Sequence, residues 1–317
     1  MIAAALVASI FAGTPVQAPY VATLTRASVV CGGTLIAPDR VLTAAHCVQG
    51  ADPGKLSVRF GGRRHAWRGA IFPPGYRLLP SPVAPEDPGA SGSLDDIAVI
   101  LLREPVRDIA PLPAASAPVV GEPSLTIGRG RTGPGPSGPS AVALGASQAV
   151  SDGCGAAYGA ELFHPDRHLC TLDPTRTAAQ ACAGDSGGPV MVQRNGAWAL
   201  AGVVTWGGET QGRACGEGLP DVSERVDAHT ALLSATGTVA PWAQRRVRVR
   251  RSGAVRRCVI GRWHPAGARF TVRWWREPGE FLTGGGRTRR VTSGRVGCSV
   301  TARTPGGWAT EDSYNRR

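Results

Sequence analysis

Gly184-Asp185-Ser186-Gly187-Gly188-Pro189 is the stretch of this 317-residue sequence that is most informative about its fold. Glycines on both sides of the Asp-Ser pair let the backbone turn tightly and expose its amides. Such a turn can present the Ser186 hydroxyl as a nucleophile beside a site for a negatively charged oxygen. The hexapeptide alone is only suggestive, because glycine supplies turn geometry wherever a chain reverses.

Two further segments strengthen this interpretation. His46 lies in Leu42-Thr43-Ala44-Ala45-His46-Cys47, and Asp96 directly precedes the apolar run Ile97-Ala98-Val99-Ile100-Leu101-Leu102. A serine hydroxyl is a weak nucleophile at neutral pH, so it needs an imidazole base, and the imidazole needs a carboxylate to hold its tautomer. We therefore expect His46, Asp96 and Ser186 to act together. Asp95 competes for the carboxylate role, but only Asp96 adjoins the apolar strand.

These segments resemble the trypsin/chymotrypsin family of serine endopeptidases over roughly residues 10 to 235. The resemblance implies an all-β fold of two six-stranded antiparallel β-barrels, chymotrypsin-like. It implies acyl-enzyme chemistry with His46 as base and then acid, Asp96 as the orienting carboxylate and Ser186 as the nucleophile. The N–H groups of Gly184 and Ser186 would form the oxyanion hole. No cofactor is implied, and the loop at 61–64 lacks the acidic ligands of calcium-binding relatives, so we expect no metal.

The resemblance also assigns substrate-binding roles. Gln180 takes the pocket-floor position that is Asp in trypsin, and Asp221 takes a wall position that is usually glycine. Thr205-Trp206-Gly207 resembles the Ser-Trp-Gly segment that pairs with the substrate backbone, and the Thr205 hydroxyl would face Asp96. We expect a modest preference for Arg or Lys. A hydrogen bond between Asp221 and Gln180 is the alternative, because an unpaired buried carboxylate is costly.

The segment starting at Ile10 resembles the N-terminus of active family members, whose freed amine inserts beside the acid adjoining the nucleophile, here Asp185. No Arg or Lys precedes Ile10, so we expect signal removal after Ser9 to release this amine. Residues 1–9 are then the remnant of an export signal, with a buried first strand as the alternative. The apolar run at 2–13 is too short to span a bilayer, and no other segment is suited to do so.

Eight cysteines without a Cys-x-x-Cys pair favour four disulfides over a metal site and indicate an oxidising compartment. We therefore expect a secreted, extracellular protein that acts on protein or peptide substrates. Spacing alone leaves the connectivity open. The resemblance implies the pairs Cys31 with Cys47, Cys154 with Cys170, and Cys182 with Cys215, which leaves Cys258 and Cys298 for the C-terminal region.

Short apolar runs between Gly, Pro and Ser clusters predict β-strands along the whole chain. We expect a protease domain at 10–237, a linker at 238–245 and a second β-domain at 246–317. Two loops rich in Pro and Gly, at 73–93 and 128–140, are expected to be exposed.

The net charge of +12 belongs to the C-terminal region. Residues 243–317 contain 18 Lys+Arg against 4 Asp+Glu, whereas residues 1–242 contain 17 against 19. The order Cys258, Trp274, Cys298 matches the framework of a small immunoglobulin-like (Ig-like) β-sandwich, in which a core Trp packs on an inter-sheet disulfide.

The basic C-terminal module is expected to bind an anionic cell-envelope polymer, a polysaccharide or an acidic protein. Nucleic acid is not expected, because the aromatic and basic signatures of an RNA-binding sheet are missing. A solvated basic spacer is the alternative role for this region. For the whole chain, the alternative to an enzyme is a catalytically silent protease-like scaffold that acts as an extracellular binding or adhesion protein through this module.

Overall fold

The structure is a computed structural model that describes residues 10–27, 29–130, 140, 142–175, 179–276, 280–291 and 294–313. The predicted export-signal remnant at 1–9 and most of the predicted loop at 128–140 lie outside these residues. Within them the chain is mainly β-structure with short helical turns. No helix in this part of the chain has the length and apolar character needed to cross a membrane.

A curved antiparallel sheet forms the first half of the chain. Its seven strands are β2 (Val21–Arg26), β3 (Val29–Ala37), β4 (Arg40–Thr43), β5 (Ser57–Phe60), β6 (Arg63–His65), β7 (Trp67–Ile71) and β10 (Ala98–Leu102). Three short strands in this part of the chain lie outside the sheet: β1 (Thr14–Pro15), β8 (Arg77–Leu79) and β9 (Gly92–Leu94). The order β6-β5-β2-β3-β4-β10-β7 forms a half-barrel that the pairings between described strands leave open. The prediction of an all-β, chymotrypsin-like fold is confirmed, with this half-barrel in the place of the first of the two expected barrels.

A closed six-stranded barrel follows. Its strands are β11 (Pro123–Gly128), β12 (Leu144–Val150), β13 (His168–Leu172), β14 (Pro189–Arg194), β15 (Ala197–Trp206) and β16 (Asp221–Arg225). The ring β12-β11-β14-β15-β16-β13 closes because β13 also pairs with β12, and β1 adds to the outside of β12.

Short helical segments connect the strands. The α-helices are α1 (Ala45–Val48), α2 (Cys154–Tyr158) and α3 (Thr230–Leu233), and the 3-10 turns are Pro88–Ala90, Gly208–Gln211 and Asp227–His229. The segment at 73–93, predicted to be an exposed loop, is exposed at 82–83 and 85–89, and β8 at its start pairs with β9 at its end. Backbone pairing inside this segment satisfies amides that an open loop would leave to water.

The half-barrel and the closed barrel meet at Gly32 on β3. Its N–H donates to the carbonyl of Ser186 at 2.7 Å. A Cβ at this position would lie only 2.7 Å from the amide nitrogen of Gly188, so the close approach requires glycine. This contact fixes the 184–189 turn against the half-barrel that carries His46.

The C-terminal region contains nine described strands in three small sheets. They are β17 (Trp242–Arg245), β18 (Arg248–Ser252), β19 (Val255–Val259), β20 (Arg262–His264), β21 (Arg269–Arg276), β22 (Glu280–Leu282), β23 (Thr288–Arg290), β24 (Val296–Thr304) and β25 (Gly307–Asp312). The sheets are β17-β20, β18-β19-β23 and β22-β21-β24-β25. The Cys258–Cys298 disulfide joins the last two sheets, and Trp274 is fully buried in the core between them.

The segment 238–245, predicted as a linker, is largely structured. Val239, Ala240 and Trp242 are buried, and the Ala240 N–H donates to the carbonyl of Ala70 on β7 at 2.7 Å. Residues from Trp242 onward form β17, which pairs with β20. The prediction of a linker is therefore corrected, because apolar side chains here pack on the half-barrel instead of facing solvent.

All four disulfides form with the pairing that the resemblance implied. The bonds are Cys31–Cys47, Cys154–Cys170, Cys182–Cys215 and Cys258–Cys298. The first two flank α1 and α2, and the third joins the segment before Ser186 to the loop after β15.

Candidate active site

Three loops bring the predicted catalytic side chains into one cleft of about 640 Å³. His46 lies on α1, directly after β4, and Asp96 precedes β10. Ser186 lies in the turn before β14. The cleft is lined by all three residues, although they are up to 140 positions apart in sequence.

Asp96 holds His46 through two hydrogen bonds. One carboxylate oxygen lies 2.7 Å from Nδ1 of the ring, and the other accepts the backbone N–H of His46 at 2.9 Å. The Asp96 side chain is 1% exposed, whereas that of His46 is 32% exposed. Because Asp96 occupies Nδ1, the proton of neutral His46 is held there and Nε2 is left as the basic atom.

The pKa values of the pair move apart. Burial lowers the pKa of His46, but the charge and hydrogen bond of Asp96 outweigh it, so this pKa lies above its ordinary value of 6.5. Burial also raises the pKa of Asp96, yet the His46 ring, the His46 N–H and the Ser93 hydroxyl bring it below its ordinary value. The arrangement stabilises an imidazolium next to a carboxylate.

The turn at 182–188 is fixed by its own backbone. The N–H of Asp185 donates to the Cys182 carbonyl at 2.9 Å, that of Gly188 to the Asp185 carbonyl at 2.8 Å, and that of Gly187 to the Val204 carbonyl at 2.7 Å. Gly184 has φ of 100°, a left-handed conformation that other residues rarely adopt. In the described part of the chain, the N–H groups of Gly184 and Ser186 are not used in a hydrogen bond, so they can receive an anion.

The Ser186 hydroxyl is not hydrogen-bonded to His46. Among the described residues it makes no hydrogen bond at all, and it is half-buried at the cleft. Nucleophile–base hydrogen bonds are often long without substrate and tighten only in the complex, so this geometry is compatible with catalysis.

Asp185, the predicted partner of a free Ile10 amine, is completely buried. Its carboxylate accepts the N–H of Gly130 at 2.6 Å and that of Cys182 at 2.9 Å. Burial raises its pKa to about 7 despite these hydrogen bonds. No ion pair between described residues involves Asp185.

Ile10 lies in the closed barrel. Its side chain is fully buried in a cluster with Leu144, Ala146 and Ala179. The next residue, Phe11, forms an antiparallel bridge with Gln180, with N–H to carbonyl distances of 3.0 and 3.2 Å. The N-terminal segment is therefore packed against the segment that leads to the turn at Ser186.

Asp221 lines the main cleft and is 2% exposed. Its Oδ2 accepts hydrogen bonds from Nε2 of Gln148 at 2.7 Å and from the Ala181 N–H at 2.9 Å. The alternative partner Gln180 accepts the Gly216 N–H instead, at 2.9 Å, and lines a neighbouring cavity of about 280 Å³. Burial raises the pKa of Asp221 to about 7.

Glu209 is a second carboxylate in this part of the cleft, and the sequence reasoning did not single it out. Its Oε2 and the Oδ1 of Asp221 lie 3.7 and 3.4 Å from the position that a Cβ on Gly207 would take. Burial raises the pKa of Glu209, and the charge of Glu209 adds to the burial that raises the pKa of Asp221. The only signal in the sequence is the position of Glu209 two residues after Gly207.

The Thr205 hydroxyl does not face Asp96, contrary to the prediction. It donates to the Val222 carbonyl at 2.9 Å, because the pairing of β15 with β16 shifts register between Val204 and Trp206. The Ser93 hydroxyl takes this role and donates to Asp96 at 2.8 Å. Nothing in the sequence except its position three residues before Asp96 marks Ser93.

Glu224 on β16 binds the backbone of Asp96. It is fully buried, and its Oε1 accepts the Asp96 N–H at 2.9 Å. Nε2 of His229 lies 3.3 Å from its Oε2, and Nε2 of His168 lies 3.5 Å from its Oε1. Burial raises the pKa of Glu224, but these hydrogen bonds lower it below the ordinary value. No sequence motif marks His168, His229 or Glu224 as part of the site.

Two groups in the described part of the chain bring three potential metal ligands together. One consists of Cys31, His46 and Cys47, in which the cysteines are disulfide-bonded. The other consists of Asp95, Glu224 and His229. In the second group Glu224 already accepts the Asp96 N–H, and Arg167 lies 3.7 Å from Asp95. Both groups are therefore explained by the protein's own bonds.

The sequence profile of the family described as Trypsin matches residues 9–232. This chain belongs to the trypsin family. Among its relatives, it is 33% identical to a trypsin of Saccharopolyspora erythraea over 64% of this chain and 85% of that protein. It is 32% identical to a vitellin-degrading protease of Bombyx mori over 60% of this chain and 72% of the relative.

The trypsin-family assignment agrees with the fold. Mouse neuropsin, described as a serine protease expressed in the limbic system of the brain, superimposes with a TM-score of 0.54 and 26% identity. The superposition covers 69% of this chain and 94% of neuropsin. Strands β17 to β25 lie beyond the 9–232 match, so family membership concerns the barrels and not the C-terminal module.

Proposed function

We propose that this trypsin-family protein is a secreted serine endopeptidase. Ser186 attacks the scissile carbonyl, His46 Nε2 takes its proton and later returns it to the leaving amine, and Asp96 stabilises the imidazolium between these steps. Water then hydrolyses the acyl-enzyme by the same route. The N–H groups of Gly184 and Ser186 stabilise the oxyanion in both steps.

One observation carries this proposal above the others. Asp96 binds Nδ1 of His46 at 2.7 Å, which leaves Nε2 as the basic atom in the cleft that Ser186 also lines. The unused amides of the adjoining turn supply the second requirement, electrostatic stabilisation of an oxyanion. Four disulfides support an oxidising, extracellular location.

Labelling with a fluorophosphonate tests the nucleophile. The mature protein is expected to be labelled at Ser186, and Ser186→Ala is the control that removes the reactive hydroxyl. Absence of labelling in a correctly processed, folded protein would favour the catalytically silent scaffold.

We infer a modest preference for Arg or Lys before the scissile bond. Asp221 and Glu209 place two carboxylates in the pocket, and a substrate guanidinium or ammonium would hold both in the ionised form. A panel of peptide substrates that differ only at this residue tests the inference. Equal or faster cleavage after Phe or Leu would contradict it.

Activation is inferred to require a free amine at Ile10. The buried Asp185 carboxylate makes no ion pair with a described residue. Its pKa is raised to about 7, as expected for a buried carboxyl group without a cationic partner, and a free amine at Ile10 would supply that partner. The active secreted protein should therefore begin at Ile10, as N-terminal sequencing would show. An active protein with a different N-terminus would exclude this route.

The C-terminal module is proposed to bind an anionic cell-envelope polymer. Arg250 and Arg257 lie directly opposite each other on β18 and β19, and with Arg287 they line a cavity of about 330 Å³. No ion pair between described residues involves these three arginines. Like charges in opposed positions are unfavourable, so a bound anion would relieve their repulsion.

Co-sedimentation with purified cell envelopes tests this role. Ser186→Ala protein should bind and be released by salt, and Arg250→Ala with Arg257→Ala should weaken the binding severalfold. Arg64→Ala with Arg68→Ala, two exposed arginines outside the module, is the matched loss of two charges. Salt-insensitive binding, or equal losses from both changes, would leave the module as a basic spacer.

A further inference from the structure

The C-terminal module contacts the active-site cleft through one aromatic pair. Trp308 on β25 stacks on Tyr76, with ring centroids 5.9 Å apart and an angle of 23° between the planes. The indole N–H of Trp308 also donates to the Tyr76 carbonyl at 3.2 Å. Arg303 covers the Trp308 ring, with its guanidinium carbon 5.5 Å from the centroid.

Backbone contacts around this pair are close. The Phe72 N–H donates to the Gly306 carbonyl at 3.0 Å, and the Thr304 hydroxyl donates to the Val239 carbonyl at 2.8 Å. A Cβ on Gly307 would lie 2.6 Å from the ring of Phe72, and φ of 135° at this residue also requires glycine. The module is therefore fitted to the segment at 72–76 and not merely adjacent to it.

Tyr76 belongs to the wall of the cleft. It is 4% exposed and lines the cleft with Leu78 and Ser91 from the same segment. Phe72 packs edge-on against Tyr76, with centroids 5.8 Å apart. Two aromatic contacts thus determine where the Tyr76 ring lies.

The same segment borders the strand that is expected to pair with substrate. Trp206 donates its indole N–H to the Ser93 carbonyl at 3.2 Å. Its ring packs on Gly92, where a Cβ would lie 3.3 Å away. A peptide added as a strand along Thr205-Trp206-Gly207 would extend its residues before the scissile bond between Trp206 and the 76–93 segment.

We propose that the C-terminal module is part of the substrate-binding machinery, in which Trp308 is a positioning residue for Tyr76 and the cleft wall. Through Tyr76, the module strengthens binding of the substrate residues on the N-terminal side of the scissile bond. The triad and the pocket for the residue at the bond do not depend on the module. This rests on the proposed protease function, and it adds a role for a region outside the trypsin-family match.

Two substrates and one variant test the proposal in the mature full chain. One substrate is a chromogenic amide of a single acylated residue, and the other carries three further residues before it. Trp308→Ala is expected to lower kcat/KM for the long substrate by up to about tenfold, mainly through KM, since an aromatic pair contributes roughly 0.5–1.5 kcal/mol. The short substrate and the rate of fluorophosphonate labelling should change less than about twofold.

Phe281→Ala is the matched control, because Phe281 is a 62% exposed aromatic residue of the same module. It should leave both substrates unchanged. Trp308→Phe retains the ring but loses the N–H bond, and should lose about two- to threefold on the long substrate alone. This variant keeps the test decisive if Trp308→Ala does not fold, which near-UV circular dichroism would reveal.

Equal losses on both substrates would overturn the proposal, as would unchanged rates on both or a similar effect of Phe281→Ala. Failure of the protease function itself is distinguishable, because the parent protein would then not be labelled by the fluorophosphonate.

Discussion

Asp96 is the residue on which most of the active-site hydrogen bonds converge. Its carboxylate accepts bonds from the His46 ring, the His46 N–H and the Ser93 hydroxyl, while its own N–H donates to Glu224. A carboxylate with this many donors is held in one orientation and remains ionised. At the residue scale, Asp96 therefore fixes the orientation of His46, and Ser93 and Glu224 fix the orientation of Asp96.

The raised pKa of His46 predicts the acid limb of the pH profile. Only neutral His46 can act as a base, so kcat/KM should fall as pH drops through an apparent pKa above 6.5. Asp96→Asn removes the charge that raises this pKa, so the residual activity should keep its acid limb at lower pH. Rates measured from pH 5 to 9 on both proteins check the shift. An unchanged midpoint in the variant would contradict the proposed coupling.

Glu224 is predicted to act through the acceptor that it offers to Asp96. Glu224→Leu leaves a buried N–H without a partner, which costs about 1–3 kcal/mol, and kcat should fall roughly 10- to 100-fold. Glu224→Gln retains an amide oxygen for this N–H and should remain within a few-fold of the parent. The kcat and KM of the two variants are measured over a range of substrate concentrations that spans KM. Similar kcat values for both would exclude the role of the acceptor.

The free energy of unfolding is predicted to depend on pH through the ionisation of Asp221. Its pKa is raised in the folded state to about 7, so its contribution is present below pH 4 and is lost as pH rises through 7. The side chain at this position cannot ionise in Asp221→Asn. The free energy of unfolding of this variant, relative to that of the parent, should therefore increase between pH 4 and pH 8 by on the order of 4 kcal/mol. Urea unfolding of Ser186→Ala proteins at pH 4 and 8 measures the difference. The same difference at both pH values would argue against a buried, ionisable Asp221.

At the scale of the elements, the nucleophile turn depends on the loop that follows β11. The Gly130 N–H binds the Asp185 carboxylate, and a Cβ on Gly130 would lie 2.6 Å from the Asp185 nitrogen. A Cβ on Gly128 would overlap the Asp185 carboxylate itself. Two glycines separated by Arg129 thus leave the space in which the turn at 182–188 is built.

Gly130→Ala is predicted to displace this turn and its oxyanion donors. Loss of one such donor costs about 10²- to 10³-fold in kcat, and fluorophosphonate labelling should slow to a similar degree. Gly155→Ala is the control, since a Cβ there meets nothing within 4 Å and α2 gains a better helix former. Normal labelling of Gly130→Ala would show that the turn tolerates the added carbon.

At the scale of the whole molecule, the C-terminal module packs against the half-barrel, while Trp274 and its neighbours form a separate core within the module. Val239, Ala240 and Trp242 are buried in the same apolar cluster as the strands of the half-barrel, and Trp308 packs against it. Burial of shared apolar surface couples the stability of the two regions. The module is therefore not an independent body on a flexible tether.

A single unfolding transition is predicted for the Ser186→Ala chain in calorimetry, with a calorimetric enthalpy equal to the van't Hoff enthalpy. Trp308→Ala should lower the midpoint of this transition without splitting it. Two resolved transitions in the unaltered chain would contradict this coupling between the two regions.

The amino-acid sequence by itself predicted the glycine-rich turn at Ser186, the grouping of Ser186 with His46 and Asp96, and the all-β class, because glycine geometry, flanking residues and apolar strands are local properties. It did not reveal Ser93, Glu209 or Glu224, whose roles depend on strand register across the barrels. Only the tertiary structure placed Trp308 on Tyr76, 232 residues away in sequence, and turned the predicted linker into core. Such contacts are decided by packing between distant segments, which no local pattern of residues specifies.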